Sequence, residues 1–224
     1  MNLDYVIIVA GGKGARMGGD VPKQFLEIGG QPVLMRTIRR FLAFDATLNI
    51  VLVLPASEQE TWQQLCRRFD FDVPMTVVDG GDTRFESVSN GLSAIPDDAN
   101  GVVAVHDGVR PFVSVEVIGR CFDAAREEQA AIPTVEVVET LRRIGGDEAE
   151  KNVNRADYQV VQTPQTFDIQ LLKRAYRQPY KEAFTDDATV VEQLGIKVSR
   201  VAGNRENIKV TTPFDLQVGE ALCL

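Results

Sequence analysis

A glycine-rich segment that carries Arg16 and Lys23 follows the first apolar run of the chain. Residues 5–9 read YVIIV, and residues 10–23 read AGGKGARMGGDVPK. Because glycine has no Cβ, amide hydrogens in such a segment can approach phosphate oxygens closely, and basic side chains add charge where an anion would sit. The segment therefore predicts a nucleoside triphosphate site built from Ala10, Gly11, Gly12, Gly14, Arg16 and Lys23.

Two better-known glycine motifs do not fit this segment. The dinucleotide fingerprint G-x-G-x-x-G would require glycine where Met17 stands. The P-loop requires lysine and then serine or threonine after its last glycine, but Asp20 and Val21 follow Gly19. A simpler interpretation stays open, in which the glycines only turn the chain out of a strand.

A carboxylate stands at the end of another predicted strand. The apolar residues 102–105 lead into HDGVRP, so that Asp107 follows the strand directly. Mg²⁺ is a hard cation that prefers oxygen ligands and shares them with phosphates. A lone aspartate more often caps a helix or a turn, but the predicted sheet places Asp107 opposite the glycine-rich segment. Asp107 is therefore a predicted metal ligand and nucleotide contact, and His106 a structural neighbour.

A second glycine pair follows a third predicted strand, in the sequence DGGDTRFES of residues 79–87. Glycines at a strand end allow the backbone to approach a flat base, and Asp82 or Ser87 could supply polar contacts to its edge. An ordinary turn with Asp82 as the N-cap of the following helix is compatible with the same residues.

The elements that position these residues follow from the apolar periodicity. Apolar runs at 5–9, 49–54, 75–78 and 101–105 predict strands, and apolar faces starting near Val33, Phe85 and Val117 predict helices between and after them. This alternation predicts an α/β fold with a mainly parallel sheet covered by helices on both faces. Ligands bind such sheets at the carboxyl ends of the strands, where the glycine-rich segment, Gly81 and Asp107 fall.

Residues 139–157 follow a different pattern. They are highly charged, contain Gly145-Gly146 and lack a helical apolar face. The segment predicts a hairpin inserted into a single domain of residues 1–224, with its tip near 145–150. Composition alone favours a solvated surface loop for the same residues.

Composition limits the possible functions. The chain has 224 residues, with 24 basic against 32 acidic ones and a net charge of −8, which disfavours a general nucleic-acid-binding role. No apolar run is long enough to cross a membrane, and the N-terminal run lacks the basic residues of a signal peptide. Three scattered cysteines and one histidine predict neither a zinc site nor a disulfide framework. We expect a cytoplasmic protein.

Five separated motifs occur in order between about Val6 and Leu216: GGxGxRM with PKQ, DGGDxR, HDGVRP, QTPQTF and ENIKVT. Together they resemble the nucleotidyltransferases that activate sugar and polyol phosphates, and most of all the 2-C-methyl-D-erythritol 4-phosphate cytidylyltransferase family. The resemblance implies a Rossmann-like nucleotidyltransferase fold with a protruding β-arm that embraces a second subunit. It implies CMP transfer from CTP to 2-C-methyl-D-erythritol 4-phosphate, with Mg²⁺ as cofactor and a homodimer as the active form.

The resemblance also implies roles for individual residues. Arg16 and Lys23 would stabilise charge on the phosphates, and Gly81, Asp82 and Ser87 would recognise cytosine. The substrate-binding set would be Arg110, Thr140, Arg155, Thr163 and Lys209, with Arg155 and Lys209 also catalytic because they aim the attacking phosphate. Thr140 and Arg155 would act from the arm, across the dimer.

Two departures leave alternatives open. The family usually has Ala-Ala-Gly where Ala10-Gly11-Gly12 stands, and the Gly-Gly form also occurs in ribitol 5-phosphate cytidylyltransferases. Glu206 occupies a position that is usually aspartate, so its contact with the metal is an open question. A non-catalytic nucleotide-binding relative is a further alternative. A nicotinamide oxidoreductase is disfavoured because Met17 breaks the dinucleotide fingerprint.

Overall fold

The computed structural model describes residues 3–11, 21–144 and 150–223. The predicted roles of Gly12, Gly14 and Arg16 therefore lie outside the described residues, as does most of the predicted hairpin tip. No helix within the described ranges is long and apolar enough to cross a membrane.

Strands and helices alternate along most of the chain, with short 3₁₀ helices at Lys23–Phe25 and Arg155–Asp157. The elements are β1 (Tyr5–Val9), β2 (Glu27–Ile28), β3 (Gln31–Pro32), α1 (Val33–Phe44), β4 (Asn49–Leu54), α2 (Ala56–Arg68), β5 (Thr76–Asp79), α3 (Arg84–Ser93), β6 (Val102–Asp107), α4 (Val115–Glu128), β7 (Ala130–Glu136), β8 (Arg142–Arg143), β9 (Lys151–Asn152), β10 (Gln159–Val161), β11 (Gln165–Asp168), α5 (Ile169–Tyr176), α6 (Asp187–Glu192), β12 (Ser199–Ala202) and α7 (Pro213–Ala221).

One large sheet organises the fold. Its strand order is β10-β7-β11-β6-β1-β4-β5, and β12 pairs with β7. Strand β1 runs parallel to both β4 and β6, and β5 runs parallel to β4. Strand β11 is antiparallel to β6 and β7, and β10 is antiparallel to β7. The predicted α/β class with a mainly parallel sheet is confirmed.

Helices cover both faces of this sheet. Successive side chains of a strand point to opposite faces, so Ile8 joins a core with α1, α2 and α4, whereas Ile7 joins one with α3, α5 and α6. Both isoleucines are 0% exposed. Burying one such side chain fully contributes about 1.5–3 kcal/mol, so the two cores hold β1 at the centre of the sheet.

The start of α3 differs from the sequence interpretation in one residue. Thr83, not Asp82, is the N-cap: the Thr83 side chain accepts the Glu86 backbone N–H, and the Glu86 carboxylate accepts the Thr83 N–H. This capping box satisfies two donors that a helix leaves unpaired. The Asp82 N–H also donates to Glu86 Oε2, at 2.7 Å, so the Asp82 side chain is not needed to start the helix.

Within the inserted segment, β8 and β9 form an antiparallel pair. Arg142 pairs with Asn152 and Arg143 with Lys151, and all four residues are exposed. The edge strand β10 follows, with Val160 and Val161 exposed beside it. The predicted arm that reaches a second subunit stays a prediction.

Candidate active site

A cavity of about 210 Å³ opens at the carboxyl ends of β1, β5 and β6. Eight residues singled out from the sequence line it: Ala10, Gly11, Lys23, Gly81, Asp82, Ser87, Asp107 and Lys209. They come from five separate chain segments. The sheet therefore brings together most of the predicted nucleotide site that lies within the described residues.

The loops that build this cavity leave their strands in parallel. The Ala10 N–H donates to the Val53 carbonyl, and the Gly108 N–H donates to the Val9 carbonyl, both at 2.9 Å. A Cβ on Gly108 would lie 2.9 Å from the Ala10 Cβ, which is too close. Glycine at 108 therefore lets the loop after β6 pack directly against the loop after β1.

The DGGD turn is held by Ser87. Its hydroxyl donates to the Thr83 carbonyl at 2.9 Å and accepts the Gly81 N–H at 3.1 Å. A Cβ on Gly81 would lie 2.3 Å from the Glu86 Cβ, so only glycine fits there. The ordinary turn and the predicted base contact coexist, because Gly81, Asp82 and Ser87 all still line the cavity.

Three cations surround the Asp107 carboxylate. The Lys209 ammonium lies 3.0 Å and the Arg110 Nε 3.1 Å from Oδ2, and the Arg84 Nε lies 4.0 Å from Oδ1. Burial alone would raise the pKa of Asp107, but the charges of Lys209, Arg84 and Arg110 hold that pKa well below its usual range. Asp107 is therefore ionised throughout the physiological pH range.

The Asp107 carboxylate also has the donor chemistry that Mg²⁺ requires. Arg110 and Lys209 both approach Oδ2, whereas the Arg84 Nε lies 4.0 Å from Oδ1, and the side chain lines the cavity. The same residues contain no cluster of three or more possible ligands from His, Cys, Asp and Glu. One carboxylate is nevertheless sufficient for Mg²⁺ that shares its remaining ligands with substrate phosphates and water. The site fits a metal of that kind.

A buried hydrogen-bond chain stands behind Asp107. The Asp107 N–H donates to Thr163 Oγ1 at 3.1 Å, and that hydroxyl lies 3.0 Å from His106 Nδ1. His106 Nε2 lies 3.1 Å from the Arg110 carbonyl, which can only accept, so we assign the proton to Nε2 and Thr163 as the donor to Nδ1. Both side chains are buried, and Thr163 does not line the cavity. The Thr163 hydroxyl therefore supports the loop that carries Asp107.

This arrangement predicts an imidazole that resists protonation. Burial lowers the pKa of His106 from 6.5 to about 4. Because the unfolded state binds a proton more readily, the free energy of unfolding is highest above pH 6.5 and decreases as the pH falls from 6.5 toward 4. At pH 5 the decrease is about 2 kcal/mol. Because the chain has a single histidine, its NMR titration needs no assignment. A midpoint near 6.5 in the folded protein would contradict this interpretation.

Other residues singled out from the sequence lie outside the cavity. The Arg110 guanidinium bonds to Asp107 and, at 2.8 Å, to the Asn207 carbonyl, and it does not line the cavity. Glu206 is exposed, accepts from Asn204 Nδ2 at 3.1 Å and is also absent from the lining. Thr140 and Arg155 are exposed on the arm segment, where the Arg155 guanidinium donates to the Val138 carbonyl.

Sequence reasoning assigned no role to Arg84, which lines the cavity between the DGGD turn and Asp107. Its guanidinium makes two hydrogen bonds to Asp187, at 3.0 and 2.6 Å. Its presence in the DGGDxR motif was the available signal. Asp187 lies in the distant sequence TDDA of residues 185–188, which only the fold brings next to Arg84.

Comparison with known proteins adds an independent observation. The family model for 2-C-methyl-D-erythritol 4-phosphate cytidylyltransferase (IspD) matches residues 5–223. The chain belongs to this family. It is an enzyme family of the nucleotidyltransferase type, as the motifs predicted.

Relatives agree with this assignment along the whole chain. The protein of that name from Phocaeicola vulgatus is 58% identical over 218 residues, covering 97% of this chain and 98% of its own length. The one from Porphyromonas gingivalis is 52% identical over 220 residues, covering 97% and 96%.

Solved structures give the same result. The 4-diphosphocytidyl-2C-methyl-D-erythritol synthase of Anaerococcus prevotii superposes with a TM-score of 0.83 at 30% identity, over 99% of this chain and 96% of that one. The cytidylyltransferase of Thermus thermophilus gives a TM-score of 0.79 at 31% identity, over 100% and 99%. These cytidylyltransferases confirm the predicted fold class, and the ribitol phosphate alternative is not favoured.

Proposed function

We propose that the chain transfers CMP from CTP to 2-C-methyl-D-erythritol 4-phosphate, giving 4-diphosphocytidyl-2-C-methyl-D-erythritol and pyrophosphate. The observation that carries this proposal is the convergence of Lys23, Asp107 and Lys209 with the DGGD turn on one cavity. An acceptor phosphate oxygen attacks the α-phosphorus of CTP in line. The bond from that phosphorus to the bridging oxygen breaks, and pyrophosphate leaves with the electron pair.

Positioning and charge stabilisation supply most of the catalysis of such a transfer. A phosphate monoester dianion is already nucleophilic near neutral pH, so no general base is required. Lys23, with Arg16, would stabilise the charge on the α-phosphate and the leaving pyrophosphate. Lys209 is 44% exposed and lies at the mouth of the cavity beside Asp107, where it would orient the acceptor phosphate.

Asp107 would hold Mg²⁺ in this scheme, and the metal would neutralise charge on the triphosphate. A metal cation requires an ionised carboxylate, and the charges of Lys209, Arg84 and Arg110 keep Asp107 in that form. Cytosine would lie on the other side of the cavity, against Gly81, Asp82 and Ser87.

The acceptor site would be completed by a second copy of the chain. Thr140 and Arg155 lie on the exposed arm segment and do not line the cavity of their own protomer. We therefore propose a homodimer in which each arm supplies these two residues to the partner's site. The exposed β10 valines beside the arm support such an interface, since an apolar sheet edge favours pairing with another chain.

Replacing Arg155 by alanine should raise KM for the acceptor by at least tenfold while KM for CTP stays nearly unchanged. Loss of a charge-assisted hydrogen bond costs about 1.5–3 kcal/mol, which corresponds to a tenfold or larger loss of affinity. Arg142→Ala, which removes an exposed arginine from the same arm segment, is the matched control. An equal loss of CTP affinity in Arg155→Ala would contradict the assignment.

Mixed dimers test whether Arg155 acts on the partner's site. Subunits carrying Arg155→Ala are combined with subunits carrying Asp107→Asn, and activity is measured at an acceptor concentration at which each variant alone is strongly impaired. If Arg155 acts across the dimer, one site of each mixed dimer has an intact cavity and an intact partner arginine, so activity returns. Action within one subunit predicts no recovery.

The proposed reaction is tested by pyrophosphate release with CTP and Mg²⁺, comparing methylerythritol 4-phosphate with ribitol 5-phosphate. We expect release with methylerythritol phosphate alone. Release with ribitol phosphate alone would keep the mechanism and overturn the acceptor.

We also propose a cytosolic location, which the three unpaired cysteines support. The continuous sheet supports a single domain over residues 1–224.

A further inference from the structure

A buried carboxylate outside the nucleotide cavity holds one of the side chains that line it. Asp187, the first residue of α6, is 0% exposed. Its Oδ1 accepts Arg84 Nη1 at 3.0 Å and the Tyr176 hydroxyl at 2.6 Å, and its Oδ2 accepts Arg84 Nη2 at 2.6 Å. A carboxylate removed from water requires such pairing, so both of its oxygens are satisfied.

The residues around Asp187 are themselves held in place by hydrogen bonds and by packing. The Gln165 side chain, on β11, accepts the Ala188 N–H and donates to Asp186 Oδ2, both at 2.8 Å, which ties the start of α6 to the sheet. The Tyr176 ring stacks on Phe85 with centroids 4.6 Å apart, so the residue after Arg84 packs against the tyrosine that reaches Asp187. The guanidinium is therefore held from two sides.

Arg84 extends from this support into the cavity. Its side chain is 30% exposed and lines the cavity together with Gly81, Ser87 and Asp107. The pair with Asp187 is neutral overall, so Arg84 contributes oriented N–H donors rather than net charge. A bidentate guanidinium of this kind keeps its remaining donors in fixed directions.

We propose that Arg84 is a nucleotide-contacting residue, and that Asp187 and Tyr176 are positioning residues that fix the direction of its guanidinium. The inference rests on the proposed use of CTP and adds residues that no motif-based assignment included. Arg84 lines the same cavity as the DGGD turn and Asp107, so a nucleotide that contacts both would extend past it.

CTP affinity of the full-length protein, measured by titration calorimetry without acceptor, tests the proposal. Arg84→Lys keeps the charge but loses the bidentate geometry and should weaken CTP binding about tenfold or more, because hydrogen bonds to charged groups are worth roughly 1.5–3 kcal/mol. Asp187→Asn should weaken binding to a similar degree. Tyr176→Phe keeps the ring stack and should weaken it by about two- to tenfold.

The double variant Arg84→Lys/Asp187→Asn separates positioning from general stability. If Asp187 acts through Arg84, the double variant binds CTP within about twofold of Arg84→Lys alone, because coupled residues are not additive. Glu192→Gln is the control, since it also removes a carboxylate from α6, but at an exposed position at the other end of that helix. It should bind CTP like wild type.

Each outcome has a defined meaning. Wild-type affinity in Arg84→Lys overturns the nucleotide contact, and multiplied losses in the double variant overturn the positioning role of Asp187. Unchanged CTP affinity in Tyr176→Phe would show that Tyr176 is not a positioning residue. A wild-type protein that binds CTP but releases no pyrophosphate with methylerythritol phosphate overturns the proposed function alone. Failure of wild type to bind CTP overturns both.

Discussion

Replacing Lys23 by alanine is expected to lower kcat by ~10²–10³, as the loss of one preorganised electrostatic contact does in other enzymes. Lys23 begins the 3₁₀ helix at residues 23–25 and lines the cavity. In the proposed reaction its ammonium meets charge that develops only as the α-phosphate is attacked. The effect should therefore appear in kcat more than in KM for CTP, measured by steady-state pyrophosphate release.

Lys181→Ala is the matched control for this variant, because Lys181 is exposed and lies outside the cavity lining. It removes the same charge from the protein and should leave kcat unchanged. Equal melting temperatures would exclude a folding defect in Lys23→Ala. A kcat near that of wild type in Lys23→Ala would remove Lys23 from the proposed mechanism.

Asp107→Asn is expected to lower kcat/KM by at least ~10²-fold, within the range seen when one electrostatic contact is lost. The substitution keeps the shape of the side chain but removes the charge that balances Lys209 and Arg110. It also removes the proposed Mg²⁺ ligand. The Mg²⁺ concentration required for half-maximal activity should therefore rise, which a fold defect alone would not produce.

Asp123→Asn serves as the control, because its side chain is 74% exposed and pairs with Arg126 on the surface of α4. An exposed pair of this kind contributes little. Should Asp107→Asn keep both wild-type activity and the wild-type requirement for Mg²⁺, Asp107 is not the metal ligand.

Sequence reasoning predicted the central elements because their signals are local. Strands β1, β4 and β6 are continuous apolar runs, and α1 and α4 have clear apolar faces. It also predicted that Asp107 and the two glycine segments meet, because parallel strands end at one edge of a sheet. These predictions needed no knowledge of long-range contacts.

The remaining features depended on contacts between distant segments. Helix α2 buries only Trp62 and was not predicted, since its exposed faces give a weak apolar pattern. The sequence interpretation placed the N-cap of α3 at Asp82, one residue too early. Thr83 is the N-cap, because it forms a capping box with Glu86. The chain of Asp107, Thr163 and His106 joins residues that are 56 and 57 positions apart, and no local pattern indicates such a pairing.

The residues that line the cavity come from five chain segments, and this affects the stability of the whole molecule. Gly11, Lys23, Gly81, Asp107 and Lys209 are distant in sequence, so a nucleotide bound among them acts as a reversible cross-link of the chain. Such a ligand binds the folded state only and adds about 2.7 kcal/mol to its stability at a hundredfold excess over Kd. The nucleotide concentration would then affect the resistance of the enzyme to unfolding and proteolysis, in addition to its reaction rate.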